Sequence, residues 1–127
     1  MSRTVISSPD APQPVSAYSQ AIQSGSLLFL SGQIPIDPAT GKVVSGTIGE
    51  ETERVIENLR AVLAAAGATL EHVVKTTVFL TNMADFAAFN AAYAPHFPSS
   101  PPARSTVAVA ALPLGVRVEI EAVAALP

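Results

Sequence analysis

The chain has 127 residues, enough for one domain with a real core, and carries a net charge of −3 with only 13% charged and 49% hydrophobic residues. The seven basic residues are scattered, which argues against a nucleic-acid footprint. The lack of cysteine excludes disulfides, thiolate metal sites and thiol nucleophiles.

No apolar run reaches the ~18 residues needed to span a bilayer. The N-terminus MSRTVISSPDAPQP lacks a hydrophobic signal core, so no membrane role and a cytoplasmic location are expected. Mean hydropathy of +0.40 is high for a lone small globule, which points to burial of apolar surface against further copies of the chain.

Residues 1–15, with three prolines, read as an extended N-terminal arm with a short edge strand near Thr4–Ile6, within one domain spanning 1–127. Tyr18–Ile22 and Leu27–Gln33 read as strands around the turn cluster Gln23-Ser24-Gly25-Ser26. The second ends in Ser31-Gly32-Gln33, where a glycine inside a strand marks a bulge or a close backbone approach. Asp37 to Gly41 is a turn, and 42–46 a loop.

Thr47-Ile48-Gly49-Glu50 fits a capping box and opens a helix whose stripe is Val55, Ile56, Leu59, Val62, Leu63 and Ala66, with Gly67 as the stop. Val74–Leu80 is a strand with Thr76, Val78 and Leu80 on one face. Asn82 or Met83 opens a second helix carrying Phe86, Phe89 and Tyr93, which ends near Pro95. His72 and His96 match no metal spacing and read as surface or capping residues.

The last third, Pro101 to Val123, reads as an antiparallel hairpin turning at Leu112–Gly115, with Val107 facing Ile120 and Val109 facing Val118. That register places Arg104, Thr106, Arg117, Glu119 and Glu121 together on the other face. Arg104 and Glu119 then lie ~13 Å apart along the strands, a gap open to a small polar ligand. A planar guanidinium suits a carboxylate, and Glu119, with Glu121 as rival, could hold a water or exchange protons. The order of elements predicts an α+β sandwich with a mixed or antiparallel sheet and two helices on one face. From the residues alone, the site reaches an anion-binding cleft with a nearby carboxylate, and no further.

Tyr18-Ser19-Gln20-Ala21, Ser31-Gly32-Gln33-Ile34-Pro35, Val74-Lys75-Thr76-Thr77-Val78-Phe79, Phe89-Asn90-Ala91-Ala92-Tyr93, Pro102-Ala103-Arg104-Ser105 and Val118-Glu119-Ile120-Glu121-Ala122 occur in order across about 110 residues. Together they resemble the Rid/YjgF family of enamine/imine deaminases, and the RidA branch in particular. The resemblance implies a chorismate mutase-like fold and a homotrimer whose sheets form a barrel, with ligand clefts between neighbours. It implies 2-iminobutanoate/2-iminopropanoate deaminase activity, the hydrolysis of 2-aminoacrylate and related 2-imino acids to 2-keto acids and ammonia without metal or cofactor. It also implies a functional link to the pyridoxal-phosphate-dependent dehydratases that release them.

By position, Arg104 matches the carboxylate-binding arginine and Glu119 the acid that orients water. Tyr18 and Asn90 match pocket-lining positions, while Ser31, Gly32 and Thr106 lie at or beside backbone approaching the ligand. Ser16-Ala17 stands where many members have Gly-Pro, and Thr106 where many have cysteine. A non-catalytic trimeric carboxylate-binding or chaperone-like protein of the same fold is the alternative reading.

Overall fold

The computed structural model describes residues 3–127. The main sheet has six strands: β1 (Thr4–Ile6), β2 (Ala21–Ser24), β3 (Leu27–Gln33), β6 (Val73–Leu80), β7 (Ala103–Ala108) and β8 (Val118–Ala125), in spatial order β1-β2-β3-β8-β6-β7. All neighbours are antiparallel except β6 and β7, which are parallel. A two-stranded hairpin, β4 (Ile36–Asp37) with β5 (Lys42–Val43), occupies part of the expected 42–46 loop. Helices α1 (Ile48–Ala65) and α2 (Phe86–Tyr93) pack against each other, and α1 packs against β3 and β8. The α+β class and the mixed sheet with its two helices are therefore as the sequence predicts.

Local chemistry explains why these elements form where they do. In α1, the Thr47 hydroxyl accepts the Glu50 N–H at 3.1 Å while the Glu50 carboxylate accepts the Thr47 N–H at 3.0 Å, so two otherwise orphaned donors are satisfied. At the other end Gly67, with φ +75°, lets Ala68 N–H reach Leu63 O and Gly67 N–H reach Ala64 O. The face between them buries Val55, Ile56, Leu59, Val62 and Leu63 against Leu28, Leu30, Val78, Leu80, Val118 and Ile120 of the sheet.

The N-terminal arm is tied down by the buried Gln20. Its amide oxygen accepts Ser8 N–H at 2.6 Å, and its amide nitrogen donates to Pro12 O at 2.9 Å. These bonds hold the backbone around Tyr18 out of the ladder, so β2 begins at Ala21 and not at Tyr18.

The predicted C-terminal hairpin does not form. β7 pairs in parallel with β6, Thr76 opposite Arg104 and Val78 opposite Thr106, and Val109 N–H extends the ladder to Leu80 O. The chain then rounds the end of β6 through residues 109–117 and returns antiparallel on its far side, with Phe79 opposite Glu119 and Leu80 opposite Val118. A central β6 buries Thr76, Val78 and Leu80 between two neighbours, whereas β7, entered through Pro101-Pro102, suits an edge.

Inserting β6 changes the face on which β7 lies. Arg104 stands level with Thr76 and Ala122, where the hairpin register put Val123, and that one-residue change of parity reverses every side chain. Arg104 and Thr106 lie on the helix-covered face; Glu119 and Glu121 lie on the open face with Phe79 and Thr77. Arg117 O still accepts Thr81 N–H at 3.2 Å, but its side chain turns away from the polar face. Its guanidinium pairs with the buried Glu51 carboxylate at the start of α1 and donates to Gly46 O.

Candidate functional site

The expected site residues form two groups on opposite sides of the sheet. The first is built around Arg104. Its Nη1 donates to Asn90 Oδ1 at 2.8 Å, and its guanidinium carbon lies 4.9 Å from the Tyr93 ring centroid, 5.5 Å from Phe86 and 5.9 Å from Phe89. Three rings one helical turn apart present their faces to the cation, which holds it in place while leaving it charged. Tyr93 is itself fixed by a 2.8 Å hydrogen bond to Thr76, and burial pushes its hydroxyl pKa up, so it stays neutral beside the arginine. A cleft of 380 Å³ opens here, lined by Arg104, Asn90, Tyr93, Phe97 and Pro102.

No carboxylate pairs with Arg104 among the described residues, so its remaining donors are available to an anion. Arg104 and Asn90 are legible in the sequence as site candidates, whereas Phe86, Phe89 and Tyr93 read there only as residues carried by the second helix. The visible signal was their 86, 89, 93 spacing around Asn90 on one helix face.

The second group surrounds Glu119. The ladder between β3 and β8 shifts register between Leu30 and Gln33, so Ser31 and Gly32 form the expected irregularity. Ser31 Oγ donates to Ser19 O at 2.6 Å, fixing the bulge to the chain just after Tyr18. A Cβ on Gly32 would fall 2.0 Å from Glu119 Oε2, so glycine here is what admits the carboxylate. Tyr18, Ser31, Gly32, Glu119 and Glu121 all line one cleft of 640 Å³. Burial, then the neighbouring Glu121 charge, pushes the Glu119 carboxyl pKa above its ordinary value of 4.5. A carboxyl so placed can hold a water and trade a proton with it.

Thr106 lines neither cleft; its Oγ1 is buried without a hydrogen-bond partner among the described residues. His72 Nδ1 accepts Thr69 N–H in a capping box, and His96 lies between Glu53 and Arg60, so both histidines have the surface and capping places expected of them. Among the described residues no three His, Asp or Glu side chains converge as metal ligands, and no helix is long and apolar enough to cross a membrane.

The fold and its two half-sites define a class: a small α+β protein with an aromatic-seated arginine under its helices and a carboxyl against a glycine bulge on its open sheet face. The family model described as Endoribonuclease L-PSP matches residues 8–126, and the chain belongs to this family, also known as Rid/YjgF. The chain is 52% identical over 126 residues to Protein DfrA of Myxococcus xanthus, covering 98% of this chain and 96% of that one. It is 47% identical over 122 residues to the mouse protein named 2-iminobutanoate/2-iminopropanoate deaminase, covering 96% and 90%. Among solved structures, that of E. coli TdcF with bound serine superposes with a TM-score of 0.93 at 37% identity, covering 98% of this chain and 99% of that one. The family thus includes proteins named as deaminases of 2-imino acids alongside others whose names carry no reaction.

Proposed function

We propose that this protein hydrolyses reactive enamines and imines, 2-aminoacrylate and related 2-imino acids, to 2-keto acids and ammonia. The observation that carries the reading is Arg104: a charged, ring-seated guanidinium with free donors facing a cleft, matched across the sheet by a carboxyl of raised pKa. The mouse relative's name and the serine bound by TdcF, itself a 2-amino carboxylate, point the same way. RNA cleavage, suggested by the family model's description, fits poorly with a net charge of −3.

The two half-sites face opposite sides of one sheet, so one small molecule can touch both only where two copies meet. A homotrimer with clefts between neighbours satisfies this need and covers the open-face residues Val5, Leu27, Phe29 and Val107, each at least 40% exposed in the single chain. In that arrangement Arg104 grips the substrate carboxylate through two parallel hydrogen bonds. Water placed by Glu119 of the adjoining copy attacks the imine carbon, Glu119 takes its proton, and a carbinolamine forms. Glu119 then returns that proton to the carbinolamine nitrogen, the C–N bond breaks to release ammonia, and the hydroxyl proton passes to the Glu119 carboxylate as the C=O bond of the keto acid forms. The imine is already electrophilic, so positioning and proton transfer supply the catalysis.

The test is ammonia release when the protein is added to a dehydratase reaction that generates 2-aminoacrylate. Wild type should accelerate release. Arg104→Lys, which keeps the charge but loses the two-pronged geometry, should lose roughly 1.5–3 kcal/mol of transition-state stabilisation, about ten- to a hundredfold in kcat/KM. Wild-type rates equal to the protein-free control would remove the reaction and leave a carboxylate-binding protein.

A further inference from the structure

The lining of the Glu119 cleft is divided by chemistry. Glu119, Glu121 and Gly32 supply a polar part, while Leu114, Pro113 and Val15 supply an apolar one. Two of these apolar side chains are far out in solvent, Val15 at 93% and Leu114 at 73% exposure.

Leu114 is unusual in a second way. Its backbone has φ +57° and ψ +20°, followed by Gly115 at φ +69°. Glycine or asparagine adopts this left-handed conformation far more readily than a bulky residue. Nor does core packing compensate for it, since the side chain contributes nothing to the buried cluster. An exposed leucine held in a left-handed turn on the lip of the Glu119 cleft is a backbone outlier whose place points to contact with a ligand.

The cleft is also large. Its 640 Å³ is that of the single chain, and in the proposed trimer the adjoining copy's Arg104 half-site takes up part of it, leaving the end beside Leu114 and Val15 for a substrate side chain.

Resting on the imine-hydrolase reading above, we propose that Leu114 is a specificity-determining residue, and that the substrates favoured are 2-imino acids with a branched aliphatic side chain. That side chain seats against Leu114 and Val15 while the reacting carbon meets Glu119. The turn around Leu114 therefore selects the substrate, and takes no part in the proton transfers.

The experiment titrates pyruvate and 4-methyl-2-oxopentanoate, unreactive product acids differing in side chain, into wild type, Leu114→Asn and Leu114→Met by calorimetry. Wild type should bind the branched acid about tenfold more tightly than pyruvate. Asparagine keeps the left-handed turn and removes the apolar reach. Leu114→Asn should therefore abolish that preference while changing pyruvate affinity less than twofold, and its melting temperature should stay level or rise. Leu114→Met should retain the preference.

Equal affinities in wild type, or a preference surviving in Leu114→Asn, would overturn the assignment. Branched-acid selectivity without ammonia release from imines would sink the reaction and leave the specificity role standing. Ammonia release without that selectivity would do the reverse. Failure of both acids to bind at millimolar concentration would remove the two together.

Discussion

At the scale of single residues, the environment of Glu119 makes a signed prediction. Its carboxyl pKa is raised in the folded state by burial first and by Glu121 second. The native protein therefore binds this proton more tightly than the unfolded chain does. Its contribution to stability is fully present below the ordinary value of 4.5 and is lost as pH rises through the folded pKa. Glu119→Gln removes that loss. The variant should melt with wild type below pH 4.5 and above it at neutral pH, while losing most hydrolysis. Glu121→Gln should shift the window toward lower pH, by taking away the like charge. Paired thermal melts across pH 3 to 8 measure both, and parallel curves for wild type and Glu119→Gln would refute the raised pKa.

Among the elements, the start of β8 is anchored to the start of α1 by Arg117 and Glu51. Arg117 is 41% exposed at its side chain and Glu51 only 7%, so the two partners are not equivalent. Removing the cation leaves a carboxylate in a site it cannot leave. Arg117→Met should destabilise the fold by about 2–3 kcal/mol, somewhat below the range for fully buried pairs because water reaches the arginine. Glu51→Gln should cost less, since the amide oxygen still accepts from the guanidinium. Denaturant melts of both variants and the double variant give the coupling. A harmless Arg117→Met would mean that β8 needs no such anchor. The anchor also explains why Arg117 is absent from the polar sheet face, where strand alternation alone would place it.

For the whole molecule, the opposite facing of Arg104 and Glu119 makes the proposed assembly testable without a structure of it. Light scattering should give about three times the 13.1 kDa chain mass. Arg104→Ala and Glu119→Gln should each be nearly inactive. Trimers formed from an equal mixture should regain about a quarter of wild-type activity, because roughly one adjoining pair in four then joins an intact arginine to an intact glutamate. A site within one chain would give no recovery on mixing. Mixed trimers no more active than their parents would therefore refute the shared cleft, even if the mass were trimeric.

What the sequence determined by itself was local, because short-range chemistry repeats at fixed intervals. The Thr47 capping box, the Gly67 stop, the alternation of Thr76, Val78 and Leu80, and the bulge at Ser31-Gly32 are each dictated by a few neighbouring residues. The motif series likewise marked Arg104 and Asn90 of one cleft and Tyr18, Ser31, Gly32 and Glu119 of the other, but also Thr106, which lines neither. Alternation tells which side chains share a face within a strand. It does not tell which strand lies beside it, and an antiparallel hairpin for the last third satisfied every local rule. Only the tertiary structure decided that β6 lies between β7 and β8, because burying a central strand on both edges is a property of the whole sheet. That choice moved Arg104 level with Ala122 instead of Val123, and so put the arginine and the glutamate on opposite faces.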